Sequence, residues 1–184
     1  YKKFKKNFLL QKKKLEKLKE AQILIKNIFY NNRKNLEFRD YMKVDPYRSV
    51  NNNVKKNYDG IVFLPNFFES QREWGKLIFI DFYEWINYTL NLIEKYNLNI
   101  AVKPHPNTYF IGTESVQVVE KLKKKFPNVD WINPMASNKS IFKKIKFGIS
   151  PWGTVLWEMA YFNVIPISAG DHPACKYHFG FEPR

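Results

Sequence analysis

One cysteine, Cys175, stands among 184 residues, so an internal disulfide framework is excluded and a reducing, cytoplasmic compartment is expected. Glycine is also scarce, with 7 in all, and these form neither a P-loop nor a Gly-x-Gly-x-x-Gly fingerprint. A nucleoside triphosphatase or a dinucleotide-dependent enzyme therefore has no support. A serine hydrolase would need Gly-x-Ser-x-Gly at a strand–helix elbow, and Ile149-Ser150-Pro151 is not that. The apolar runs are too short to span a bilayer, and no signal-peptide pattern opens the chain. His172 and His178 with Asp171 lack a metal-ligand spacing, and Cys175 is a single thiol, so no metal is expected. The chain begins at Tyr1 and ends on Phe-Glu-Pro-Arg without a closing element, which suggests a piece of a longer protein.

Acidic residues are few as well: 17 Asp and Glu face 31 Lys and Arg, a net charge of +14. The excess is local. Residues 1–58 hold 17 basic against 5 acidic side chains, whereas residues 59–184 hold 14 against 12. The basic segment, 1–57, reads as a long amphipathic helix followed by a linker. Phe4, Phe8, Leu15, Leu18, Ile25 and Phe29 recur at helical spacing from Tyr1 to about Asn31, with Gln11 and Gln22 at two seam positions. Packing against protein, a coiled coil, and contact of residues 1–35 with an anionic membrane surface all fit that pattern. Nucleic acid fits less well, because the basic residues form a helix face and no recognised binding motif accompanies them. Residues 32–58 are polar and Asn-rich, with Asp45-Pro46, as in a linker; Arg39, Lys43 and Arg48 read as solvated charges there.

Aromatics (17%) and apolar residues (45%) are plentiful enough for a real core. From Tyr58 the chain alternates between strand and helix patterns. Strands are expected at 60–64, 98–102, 129–132, 147–150 and 164–168. Helices are expected at 81–97 (Trp85, Ile86, Leu90 and Ile93 inward), at 113–126 with Thr113 as cap, at 137–145, and from Ser150 onward. This alternation predicts an α/β domain over 58–184, Rossmann-like, with right-handed crossovers, a mostly parallel sheet and helices on both faces. Ligands of such sheets sit at the carboxyl ends of the strands. Four loops lie there: 65–72, 103–107, 150–154 and 169–178. All three histidines, His105, His172 and His178, fall in them.

Two loops carry chemistry. In Lys103-Pro104-His105-Pro106 the prolines hold a cation and an imidazole extended at a strand end, a presentation suited to phosphate. In Ser150-Pro151-Trp152-Gly153-Thr154, Ser150 reads as a helix cap before a first-turn proline, and Gly153 permits close backbone approach. Thr154 and Glu158, four apart, share one helix face, at the spacing a phosphate and a ribose diol would need. A routine helix start with a solvated glutamate fits the same letters. Asn66, Arg72 and His172 are secondary candidates by their place in the loops.

Together with Asn163-Val164-Ile165-Pro166-Ile167 and the stretch Phe79 to Leu90, these motifs resemble the donor-binding half of GT-B glycosyltransferases. More narrowly they resemble the capsule and surface-polysaccharide biosynthesis proteins, which include bacterial Kdo transferases and are related to polysialyltransferases and CDP-glycerol glycerophosphotransferases. The likeness covers roughly residues 58–168. It implies an inverting transferase that uses a nucleotide-sugar, CMP-linked by preference, as a substrate and needs no cofactor. It implies that His105 meets the donor phosphate, that Thr154 or Ser150 does so too, and that Glu158 holds the ribose. A glycan or glycolipid acceptor and the general base would belong to an amino-terminal half outside this chain, so no catalytic residue is assigned and the fragment alone is expected to be inactive. Asn163 stands where a glycine commonly ends the helix, and asparagine tolerates the left-handed turn required. CDP-glycerol transfer, or a non-enzymatic basic interaction module, are the rival functions.

Overall fold

The computed structural model describes residues 2–10, 12–30, 54, 56–68, 76–110, 112–171 and 180–181. Arg39, Lys43, Arg48, Arg72, His172, Cys175 and His178 lie outside them. The chain divides into two compact units, Tyr1–Met42 and Lys43–Arg184.

The first unit holds two helices, α1 (Lys2–Leu9) and α2 (Lys14–Tyr30). The expected continuous helix is therefore divided, α1 ending at Leu9 and α2 starting at Lys14. Lys12, Lys13 and Lys14 stand in a row before α2, so like charges crowd its start. Among the described residues no helix is long and apolar enough to cross a membrane.

The second unit is α/β: β1 (Gly60–Phe63), α3 (Phe82–Lys95), β2 (Ile100–Lys103), α4 (Thr113–Lys125), α5 (Asn138–Phe142), β3 (Phe147–Ser150), α6 (Val155–Tyr161) and β4 (Ile165–Ser168). The four strands are parallel, in the order β2-β1-β3-β4, consistent with a Rossmann-like fold. Alternation along the strands feeds two cores. Val62, Leu64 and Val102 pack with Trp85, Ile86 and Leu90 of α3 and Val119 and Leu122 of α4. Ile61, Phe63 and Ala101 pack with Ile141 and Phe142 of α5 and Leu156 and Met159 of α6. Val54 and Tyr58 pack on this second cluster, and Lys56 pairs with Asp130 at 2.6 Å, so the described end of the expected linker belongs to this unit.

The helix over 81–97 forms as expected, with Asp81 capping it by accepting the Glu84 N–H and with Trp85, Ile86, Leu90 and Ile93 buried. Three expectations need correction. Thr113 is the first residue of α4 rather than its cap; Gly112 holds the cap position. Residues 129–132 form no strand: Trp131 makes a single bridge to Val102, where Val102 N–H donates to Asp130 O and Ile132 N–H to Val102 O. Pro127 and Pro134 bound the stretch too closely for a longer ladder. The third, at the start of α6, bears on the site and is described below.

Both α3 and α6 end on an asparagine in the left-handed region, Asn97 (φ 47) and Asn163 (φ 58). Leu98 N–H donates to Ile93 O, and Val164 N–H to Met159 O, so each helix closes in a Schellman turn. The turn after α3 delays β2 to Ile100, two residues beyond the expected start. Replacing Asn163 by alanine is expected to destabilise the domain by about 1 kcal/mol, and Asn163→Gly to be near neutral. Chemical denaturation of both variants checks this, and an alanine variant as stable as the glycine one would contradict the conformational cause.

Candidate functional site

From β1 the chain passes to β2 on one side and later to β3 on the other. The crevice of such a sheet lies between the carboxyl ends of the strands where the order reverses, here β1 and β3, with the end of β2 alongside. Asn66, Lys103, His105, Ser150, Gly153, Thr154 and Glu158 all belong to these ends or to the helix that follows β3.

Lys103 is the last residue of β2, opposite Phe63 of β1. Alternation puts its side chain on the α5–α6 face, with Ala101. It is only 2% exposed, yet its ammonium makes no hydrogen bond or ion pair among the described residues. Burial pulls its pKa down to about 8, opposed by the attraction of Glu158. A buried cation with so little compensation is costly, because a desolvated ammonium needs donors met and charge matched.

His105 follows Pro104 and starts a 3-10 turn, Pro106–Tyr109. Its Nδ1 accepts the Asn107 N–H at 3.1 Å, and its carbonyl accepts the Thr108 N–H. Burial first, and the neighbouring Lys103 charge second, push its pKa down to about 4. The ring is therefore neutral at pH 7, and with Nδ1 accepting, its proton sits on Nε2. His105 thus offers one N–H donor in a fixed orientation.

The stretch after β3 differs from the sequence expectation. Helix α6 begins at Val155, with Thr154 in the cap position and no side-chain cap bond. Gly153 has φ 111, a conformation no helix can contain, so Pro151 is not a first-turn residue and Ser150 is not the cap. The Ser150 hydroxyl, fully buried, donates to Trp152 O at 2.7 Å, a local turn bond that competes with helix formation. The Thr154–Glu158 relation does form: Thr154 Oγ1 donates to Glu158 Oε1 at 3.2 Å. Glu158 is no solvated glutamate. It is 7% exposed and also accepts a 3.2 Å bond from Asn138 Nδ2 of α5.

Asn66, buried at the end of β1, is committed to structure: its Oδ1 accepts the Ser115 hydroxyl of α4 at 2.8 Å. Three residues here were not singled out from sequence. The Oδ1 of Asn138, the Oδ1 of Asn107 and the hydroxyl of Thr108 are enclosed and make no hydrogen bond among the described residues. Such orphaned polar atoms are rare in folded proteins. Their signal in the sequence was a polar residue beside each expected strand end or helix start, which is too common to act on. Ser168, at the end of β4, lies 2.7 Å from Gly170 O and 3.3 Å from Pro151 O, linking the two loops.

A hollow of ≈ 590 Å³ lies elsewhere, lined by residues that include Glu94, Asn97, Asn99, Asn128 and Asp130. It opens at the amino ends of the strands, where no cation is left without a partner: its lysine, Lys56, is paired to Asp130. The chemistry therefore favours the carboxyl-end crevice. Among the described residues no cluster of His, Cys, Asp or Glu could hold a metal ion. No family model, curated protein or solved structure matches this chain.

The Lys103 burial carries a sign that can be checked. Its folded pKa, about 8, lies below its ordinary 10.5, so the unfolded chain binds more protons between these values and stability rises with pH across that window. Lys103→Met is expected to be more stable than the parent at pH 7, by roughly 3 kcal/mol. The difference should shrink towards pH 10.5. Urea denaturation at a series of pH values measures it, and a difference independent of pH would show that the ammonium is not desolvated.

Proposed function

We propose that the Lys43–Arg184 unit is the donor-binding domain of a GT-B-type glycosyltransferase that uses a nucleotide-activated sugar, CMP-linked by preference, in assembling a capsule or surface polysaccharide at the cytoplasmic side of the cell. The observation that carries this reading is the buried Lys103 ammonium, unmatched by any hydrogen bond or ion pair among the described residues, at the carboxyl edge of a parallel sheet. A cation so placed is completed by an anion, and the anionic end of an activated sugar is its phosphate.

The neighbours supply the rest of such a pocket. His105, neutral and protonated on Nε2, donates to a phosphate oxygen. Exposed Thr154 turns its hydroxyl from Glu158 to the same phosphate, whereas Ser150 has already committed its proton to Trp152 O. Glu158 keeps lone pairs beyond those used by Thr154 and Asn138, and these accept the ribose hydroxyls. During transfer the glycosidic bond to phosphate breaks and charge collects on the departing nucleotide. Lys103 and His105 stabilise that charge with donors already in place. The acceptor and the base that deprotonates it belong to a partner half of the enzyme.

Calorimetric titration with CMP, CDP, UDP, GDP and CDP-glycerol tests the reading. One cytidine nucleotide should bind, and His105→Ala and Glu158→Ala should each weaken it by about 10- to 100-fold, the range for a hydrogen bond to a charged group. Preference for CDP-glycerol would move the chemistry to polyol-phosphate transfer. A folded domain that binds none of the five would refute the pocket. Affinity should also fall as pH rises through about 8, since bound phosphate favours the protonated ammonium that Lys103 loses there.

A further inference from the structure

We propose that the turn joining α1 to α2 is a docking point for an anionic lipid bilayer, with Leu10 and Leu15 entering the acyl boundary and Lys12, Lys13 and Lys17 holding the lipid phosphates. The inference is independent of the donor pocket and uses only the first unit. Where the expected single helix is interrupted, its apolar residues are left uncovered: Leu10 is 71% exposed and Leu15 76%, with Leu9 and Leu18 exposed beside them. Lone exposed leucines are ordinary, but Leu9, Leu10, Leu15 and Leu18 are followed along α2 by exposed Ile23 and Leu24, an uncovered apolar stretch that marks a contact surface.

The chemistry around the leucines selects the partner. An open hollow of ≈ 600 Å³ at the turn is lined by Asn7, Leu10, Lys12, Lys13 and Lys17. Residues 2–30 carry ten lysines against Glu16 and Glu20. Those two acids reach Lys13 at 3.1 Å and Lys17 at 2.7 Å, but exposed pairs of this kind are weak and exchange readily for another anion. Leu10 among Lys12, Lys13 and Lys17, with exposed Leu15 following in α2, matches a surface with hydrocarbon below and phosphate above, the lysine stems reaching back to the headgroups. A second copy of this unit would bring lysines against lysines. Nucleic acid would satisfy the lysines but give the leucines no apolar environment.

Co-sedimentation of the full chain with vesicles of pure phosphatidylcholine, and of equal parts phosphatidylcholine and phosphatidylglycerol, tests the proposal. Binding is expected to the acidic vesicles only, and to weaken as salt is raised. Changing Lys12, Lys13 and Lys17 together to Gln should lower partitioning by roughly 100-fold, about fivefold for each lysine. Leu10→Asp with Leu15→Asp should lower it by at least about tenfold. Unchanged far-ultraviolet circular dichroism and thermal midpoints would confirm that the exposed substitutions leave the fold intact. Failure to bind acidic vesicles overturns the proposal. So does binding that the leucine variant retains in full, which would make the contact purely ionic, or tighter retention of duplex DNA at the same salt. Self-association abolished by the leucine variant, without vesicle binding, would assign the surface to a second copy instead.

Discussion

β1 is hydrogen-bonded on both sides, to β2 and to β3, and the rest of the second unit follows from that position. A strand so placed has no edge and no solvent face, so Gly60 to Phe63 are all buried. Its odd and even residues must find separate cores: Ile61 and Phe63 meet α5 and α6, while Val62 meets α3 and α4. Helices are consequently required on both faces. Because all the pairings are parallel, each return crosses a face, and every loop leaving a strand's carboxyl end reaches the same edge. The meeting of Lys103, His105, Thr154 and Glu158 at that edge is a product of topology, since some fifty residues separate the two pairs along the chain.

At that edge the sheet departs from apolar filling. Alternation that buries Ala101 on the α5–α6 side also buries Lys103, one turn of the pleat further on. A carboxylate on α6 answers its charge from beyond bonding distance, and that carboxylate is itself held by Asn138 and Thr154. The result is a polar layer between sheet and helices in which the Asn138 amide oxygen lacks a bond among the described residues and the Lys103 side chain is nearly all buried. The phosphate of the proposed donor would offset that cost by pairing with the cation.

Much of the architecture was legible in the letters. Short apolar runs located β1, β3 and β4, and the apolar spacing of Trp85, Ile86, Leu90 and Ile93 identified the buried face of α3. The resemblance put a helix end at Asn163, and asparagine is one of the few side chains that accept the left-handed conformation found there. Boundaries were less legible where two local preferences competed. Ser150-Pro151 carries the letters of a helix start, but Gly153 in an αL-side conformation postpones the helix to Val155, and only the backbone path after β3 selects between them. The break between Leu9 and Lys14 was hidden for the opposite reason: an apolar seam persisted on both sides of it, and the weak point was a run of like charge.

What the sequence determined by itself was the kind of fold and the set of reactive side chains, because periodicity and charge are local properties of the chain. It placed the lysine surplus in the first segment and His105 in a loop at a strand end. Which of those side chains are free to act was decided by tertiary structure. Ser150 and Asn66 had the right chemistry, but the Ser150 hydroxyl donates to Trp152 O and the Asn66 Oδ1 accepts from Ser115. Lys103 looked like any strand-end lysine, and packing beneath α6 made it a buried cation with a shifted pKa. Neutrality of His105, and the nitrogen that carries its proton, came from burial and from one backbone N–H two residues away. Desolvation and hydrogen-bond partnership depend on atoms distant in sequence, so no reading of local pattern could supply them.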